Sequence, residues 1–295
     1  MASIRAVRRG PRTYYYLTHS YRWGGATHKK QRYLGTRPPR GTSALELAIE
    51  RESWKDTWFA EFERIKAGSL RRRAHVSPQV ARKERLDFAV EFTYDSNRME
   101  GSRLSFRETA DLIESNLSPP DKPLRDVEES RAHARLVTRL ARRPEPVDLP
   151  HLLRWHRELY AATKPSIAGR IRDFDVQIRR SRFSPPTSQE VRPALIELIR
   201  WVRRNEGTIH PVELAATFHC RFEQIHPFGD GNGPLGRIAM NVLLAQHDYP
   251  MLNIRFGKRR GYYRALERSR KENDLRPFLH WFFLRFSRAL HWFRL

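Results

Sequence analysis

The sequence predicts a mainly α-helical protein with two small β-hairpins, and three observations carry that expectation. Apolar residues recur at helical spacing over most of the chain from Thr42 onward. Ahead of them, Thr13-Tyr14-Tyr15-Tyr16-Leu17-Thr18 and Lys30-Gln31-Arg32-Tyr33-Leu34 are β-prone and flank the turn-type cluster Trp23-Gly24-Gly25-Ala26. Between Phe174 and Pro185-Pro186, Val176 and Ile178 alternate with polar residues, a period of two that breaks the helical pattern.

In chain order, residues 1–41 form a basic segment around the first hairpin, closed by Pro38 and Pro39. Residues 42–85 read as linking helices, the first spanning Ser43 to Lys66 with Leu45, Leu47, Trp54, Phe59, Phe62 and Ile65 on its apolar positions. Residues 86–295 form the main domain. Its expected helices cover Gln79–Thr93, Ser105–Ser115, Arg125–Arg142, Leu149–Ala161, Pro193–Arg203, Pro211–Ile225, Pro234–Gln246, Tyr262–Lys271 and Arg276–Phe293. Ser105 and Glu108 have the spacing of a capping box, and Pro119-Pro120-Asp121-Lys122-Pro123 is a loop. No internal repeat or low-complexity tract is present.

At 295 residues with 39% hydrophobic composition, the chain can bury a sizeable core. No apolar run is long enough to span a bilayer, and Met1–Arg12 lacks the apolar centre of a signal peptide, so a cytoplasmic protein is expected. The single cysteine, Cys220, excludes an internal disulfide and suits a reducing compartment; it reads as a core residue. A net charge of +23, from 56 Lys+Arg against 33 Asp+Glu, attracts polyanions such as nucleotides, nucleic acid or acidic proteins. Arg170, Arg172, Arg179, Arg180 and Arg182 crowd one stretch and Arg71-Arg72-Arg73 another; both read first as solvated basic surface rather than as a dedicated DNA site. Oligomerisation stays open.

The most informative stretch is His226-Pro227-Phe228-Gly229-Asp230-Gly231-Asn232-Gly233-Pro234-Leu235-Gly236-Arg237. Gly229, Gly231 and Gly233 free the backbone to turn its N–H groups toward one point, and Asn232 reads as the N-cap of the helix that follows. Unpaired N–H groups at a helix N-terminus bind anions, phosphate above all. Arg237, about one turn further on, is placed to reach back to the same anion. Asp230 offers a carboxylate, and one carboxylate completed by water and phosphate oxygens suits Mg²⁺. His226, where the preceding helix must end at Pro227, is suited to general base work near neutral pH.

These residues resemble the signature of the Fic family, HPFx(D/E)GN(G/K)RxxR. His210-Pro211-Val212-Glu213, Phe222-Glu223-Gln224-Ile225, Gly169-Arg170-Ile171-Arg172 and Asp274-Leu275-Arg276-Pro277-Phe278 are also similar to family segments, in the family's order. The resemblance covers roughly Leu86 to the C-terminus. It implies a Fic-type helical domain that transfers AMP from Mg·ATP to a Ser, Thr or Tyr hydroxyl of a target protein. By the resemblance His226 is the catalytic base and Asp230 the metal ligand. Gly231, Asn232, Gly233 and Arg237 bind the phosphates. The 174–186 hairpin becomes a flap whose Val176, Gln177 and Ile178 pin a target segment by strand addition. Glycine at 233 fits relatives that transfer AMP, where lysine marks relatives that phosphorylate. The first arginine of RxxR is Pro234 here; proline is tolerated in a first helical turn, but a guanidinium is missing from the phosphate side.

Upstream, Ser96-Asn97-Arg98-Met99-Glu100-Gly101 places Ser96 and Glu100 on one helical face near 93–101. It resembles the family's (S/T)xxxE(G/N) inhibitory motif, which implies that Glu100 pairs with Arg237 and withholds it from the nucleotide. In some relatives the same glutamate serves removal of AMP, so Glu100 admits two roles. Three readings stand: an autoinhibited adenylyltransferase, a deAMPylating phosphodiesterase using Glu100, and a nucleic-acid or protein-binding module whose site is impaired by Pro234.

Overall fold

The computed structural model describes residues 2–177 and 184–294. The chain divides into two compact units, residues 1–64 and 65–295, with the boundary inside one helix.

The first unit is built on a three-stranded antiparallel sheet, β1 (Ala2–Arg9), β2 (Arg12–Trp23) and β3 (Ala26–Gly35), in that order. Arg9 pairs with Arg12 and Trp23 with Ala26, so both connections are two-residue turns. Gly24 and Gly25 both have positive φ, as the hairpin turn that matches strand twist requires. The expected hairpin is therefore present, and β1 extends it. Ala-Ser-Ile-Arg-Ala-Val is short, charged and on an edge, which kept its alternation from standing out. Helix α1 (Ser43–Trp54) covers β2, burying Leu17 and Ile49 completely. A π-helical turn, Lys55–Phe59, leads into α2 (Ala60–His75). Its Asp56 accepts a hydrogen bond from the Tyr21 hydroxyl at 3.0 Å and an ion pair from Lys30 at 2.6 Å, tying the turn to two strands.

The second unit is helical: α3 (Pro78–Met99), α4 (Phe106–Glu114), α5 (Leu124–Arg142), α6 (Leu149–Tyr160), α7 (Ser188–Asn205), α8 (Pro211–Ile225), α9 (Asn232–Gln246), α10 (Arg259–Glu272) and α11 (Arg276–Ala289). Its centre is α8 against α9. Nearly every residue from Val212 to Glu223 and from Pro234 to Leu244 is buried, the pattern of a helix surrounded on all sides. The glycine-rich loop is the connection between these two helices, so its ends are anchored in the most deeply buried helices of the unit.

Several helices run further than the periodicity predicts, α3 and α7 among them. Helix α3 continues past Thr93 through the polar run Asp95-Ser96-Asn97 because those side chains are buried and paired. Thr93 Oγ1 meets His133 Nδ1 at 2.8 Å, the Asn97 amide donates to Ser130 at 3.1 Å, and Asp95 accepts from the Phe256 N–H at 2.7 Å. Helix α7 begins at Ser188 rather than Pro193, because Thr187 and Glu190 form a complete capping box upstream. The capping box read at Ser105 and Glu108 is present at the start of α4.

Among the described residues no helix is long and apolar enough to cross a membrane. Of the 174–186 segment, residues 174–177 and 184–186 carry no strand. Ile178 and its neighbours to Phe183 lie outside the described residues.

Candidate active site

Helix α8 ends because His226 turns left-handed, with φ 51° and ψ 61°, a conformation unusual for a residue with a side chain. The turn is held from both sides. The His226 N–H donates to the Phe222 carbonyl at 2.9 Å, and its own carbonyl accepts from Arg172 Nε at 2.9 Å. Arg172 also donates to the carbonyls of Phe174, Pro186 and Ile225, so one guanidinium ties the His226 turn to both ends of the 174–186 segment. Only 4% of Arg172 is exposed. It therefore leaves the arginine crowd that reads as solvated surface and becomes a buried strut.

The loop is closed by Asn232, whose amide oxygen accepts from the Phe228 N–H at 2.9 Å and whose amide donates back to the Phe228 carbonyl at 2.8 Å. This corrects the N-cap reading: Gly231 occupies the cap position, and Asn232 is the first helical residue with its side chain turned back into the loop. Gly231 is required twice over. Its φ is +76°, and a Cβ there would lie 2.2 Å from the Tyr160 ring. Beneath the loop, His156 accepts the Gly169 N–H at Nδ1 (2.9 Å), so Nε2 carries the proton and donates to the Asp230 carbonyl at 3.0 Å. Its ring stacks on Phe228 with centroids 4.0 Å apart. Burial pushes this histidine down to about 4, and it stays neutral as a spacer and donor.

Three charged clusters meet around the loop. Burial holds His226 below the ordinary histidine range, so at neutral pH its imidazole is free to accept a proton. Its Nδ1 is buried. Asp230 Oδ1 accepts the Gly231 N–H at 2.7 Å, and Oδ2 pairs with Lys164 Nζ at 2.8 Å. Burial alone would raise Asp230, but Lys164 outweighs it and holds the carboxyl below the usual range. Among the described residues no group of three or more His, Cys, Asp or Glu side chains is placed to hold a metal. A lone ionised carboxylate, 54% exposed, instead suits a hard cation that brings water and phosphate oxygens with it.

The third cluster spans the largest sequence separation. Arg237 is 1% exposed and donates from Nε to the Ser96 hydroxyl at 3.0 Å, and from Nη2 to the Ser96 carbonyl at 3.1 Å and to Glu100 Oε1 at 2.9 Å. The last turn of α3 thus accepts three hydrogen bonds from this arginine. Glu100 is the C-cap of α3, with 42% of its side chain exposed to a cleft shared with Asn97, Arg125, Glu129, Tyr160, Lys164, Asp230 and Pro234. Partial dehydration raises its pKa, against the pull of Arg237.

The Fic/DOC family profile matches residues 146–244, which include α6, α8, the loop and most of α9. The chain carries a Fic domain. A protein adenylyltransferase Fic from Nematostella vectensis is 29% identical over 191 residues, 63% of this chain and 44% of that protein. Protein adenylyltransferase fic-1 from Caenorhabditis elegans is 29% identical over 196 residues, 64% of this chain and 38% of that protein. The chain spans less than half the length of these curated relatives. Among solved structures, a Fic domain containing signaling protein from Bacteroides thetaiotaomicron has TM-score 0.69 and 24% identity, covering 79% of this chain and 96% of that one. Fic-1 from C. elegans has TM-score 0.70 and 22% identity, covering 85% and 75%. These structures share the fold.

The residues singled out in the sequence fall into two places. His226, Asp230, Gly231, Asn232, Gly233 and Arg237 share the loop and the start of α9, and Ser96 and Glu100 are brought to Arg237. Val176 and Gln177 lie beyond the Arg172 strut. Sequence reading missed His156, Tyr160 and Lys164, whose partners in the loop, Phe228, Asp230 and Gly231, lie more than 60 residues further along the chain, beyond the reach of any local spacing. Cys220 is fully buried and its thiol is pushed up to about 12, consistent with a core role.

Proposed function

We propose that this chain transfers AMP from Mg·ATP to a side-chain hydroxyl of a protein target, and that the Glu100–Arg237 pair restrains it. The observation that carries the reading is the convergence, on one glycine-rich helix start, of a neutral base, an ionised carboxylate and an arginine withheld by a glutamate. The curated relatives it matches are named protein adenylyltransferases, which supports the same activity.

In this reading the N–H groups of the loop and the dipole of α9 hold the phosphates. His226 accepts the proton of the target hydroxyl as its oxygen attacks the α-phosphorus. The bond from that phosphorus to the bridging oxygen breaks, and pyrophosphate leaves with the electron pair. Asp230 would hold Mg²⁺, which when bound would neutralise phosphate charge. Val176 and Gln177, with Ile178, would lie along the target segment. While Glu100 holds Arg237, the guanidinium cannot turn to the terminal phosphate. Transfer of label from α-labelled ATP, read as self-modification, tests the reading. Label in Glu100→Gly but not in Glu100→Gly with His226→Ala is the expected result; no label and no nucleotide binding in any variant would sink it.

A second reading keeps the site and reverses its use. Glu100 faces the cleft with a raised pKa, a group able to take a proton from water and so to remove AMP. Glu100→Gly separates the two, since it should raise transfer and abolish removal.

A further inference from the structure

We propose that Lys164 is a phosphate ligand of this site, supplying from just past the end of α6 the cation that Pro234 does not. The inference rests on the nucleotide reading above. The carbonyl of Tyr160 accepts the Lys164 N–H at 2.7 Å, and the Lys164 carbonyl accepts from Ala168 at 3.1 Å, so its backbone is fixed just past the end of α6. Its ammonium bridges Glu129 Oε1 at 2.9 Å and Asp230 Oδ2 at 2.8 Å, and lies 4.7 Å from the centre of the Tyr160 ring. That ring is the one packed against Gly231 at the start of α9. Lys164 therefore stands at the edge of the anion loop, in the cleft that Pro234 and Glu100 also line.

Two features argue for a ligand role over a structural ion pair. Glu129 is an independent anchor: it comes from α5, is itself fixed by the Thr163 hydroxyl at 3.1 Å, and is as enclosed as the lysine, each side chain being 20% exposed. The Asp230 end is different, 54% exposed and part of the loop that would receive phosphate. An ammonium has three donors. When a hard cation takes Asp230, Glu129 still holds the ammonium in place, and the donor released from Oδ2 is left beside the phosphate site. Arg125, which also lines the cleft, pairs with Asp126 at 3.7 Å with its own side chain 60% exposed, so it is far less constrained.

The test is calorimetric binding of ATP, in EDTA and with Mg²⁺, in the Glu100→Gly background, where Arg237 is free. Lys164→Met should weaken the affinity with Mg²⁺ by about tenfold, the worth of one charge-assisted contact, and the affinity in EDTA by less, with a thermal midpoint near that of the parent. Lys164→Arg should restore binding to within about threefold, because the charge is kept. Glu129→Gln keeps the cation and loosens its anchor, and should fall between the two. Affinities with Mg²⁺ within about twofold of the parent for both Lys164→Met and Glu129→Gln would overturn the proposal and leave the pair structural. Tighter Mg·ATP binding by Lys164→Met would overturn it too, making the lysine a competitor of the metal. If the parent binds no ATP at all, the nucleotide reading fails and takes this inference with it.

Discussion

Alanine at position 233 tests the restraint by shape rather than by charge. Gly233 lies in the first turn of α9, and a Cβ built there would sit 2.3 Å from Glu100 Oε1, the oxygen that holds Arg237, and 3.0 Å from Arg237 Nη1. One side chain must move. Arg237 is 1% exposed and is also tied to Ser96, whereas the Glu100 carboxylate ends a flexible side chain 42% exposed to the cleft. Glu100 should therefore rotate outward. A hydrogen bond between charged groups contributes roughly 1.5–3 kcal/mol, and exposure of the acid reduces this to about 1–2 kcal/mol. Alanine regains about 0.5–1 kcal/mol of helix propensity over glycine. Stability should thus change by about 1 kcal/mol or less, a Tm shift of a few degrees at most. Release of Arg237 by the lost bond corresponds to about 5- to 30-fold more transfer from α-labelled ATP. A Gly233→Ala variant that binds ATP as tightly as Glu100→Gly, yet transfers no more label than the wild type, would refute the reasoning.

Two further outcomes follow from the buried groups. Arg172→Ala leaves the carbonyls of Phe174, Pro186, Ile225 and His226 without their donor, and should cost about 3 kcal/mol in urea unfolding. Transfer should fall further than stability alone explains, because the His226 turn loses its brace; an unchanged denaturation midpoint would argue against the strut. Burial pushes His133 to about 3, and His156 and His219 to about 4, all below the ordinary 6.5. Above pH 6.5 these rings are neutral folded or unfolded, and their contribution to stability is fully present. Below it the unfolded chain binds protons that the folded chain refuses, so stability should drop as pH falls toward 4, by up to about 4 kcal/mol per unit while all three stay neutral. A urea midpoint that does not move between pH 7.5 and 5.5 would contradict that burial.

The helical elements and the loop were legible because both are local signals. Apolar spacing marks α8, α9 and α11, and glycines at 229, 231 and 233 beside His226 mark the turn between α8 and α9 within twelve residues. Where polar residues are buried, periodicity fell short: apolar spacing stops at Thr93 and the helical face near 93–101 rested on the Ser96–Glu100 spacing alone, whereas α3 is continuous because α5 and the 253–256 segment supply partners for Asp95 and Asn97. Asn232 was legible as important but not in its role, since capping and loop closure use the same amide and only the backbone path decides between them.

By itself the sequence determined which groups are gathered locally: a histidine, an aspartate and an arginine on a glycine-rich helix start, with Ser96 and Glu100 one turn apart on a single face. Their order along the chain suffices, because side chains within a loop or a helical turn are neighbours whatever surrounds them. Only the tertiary structure decided what those groups meet. It set Ser96 and Glu100 against an arginine 141 and 137 residues away, turned Arg172 from surface charge into a buried strut, and placed His156 and Lys164 at the loop. Each of those meetings depends on how α3 and α6 pack around α9, and packing follows from the shapes of whole helix faces rather than from any spacing a local motif can record.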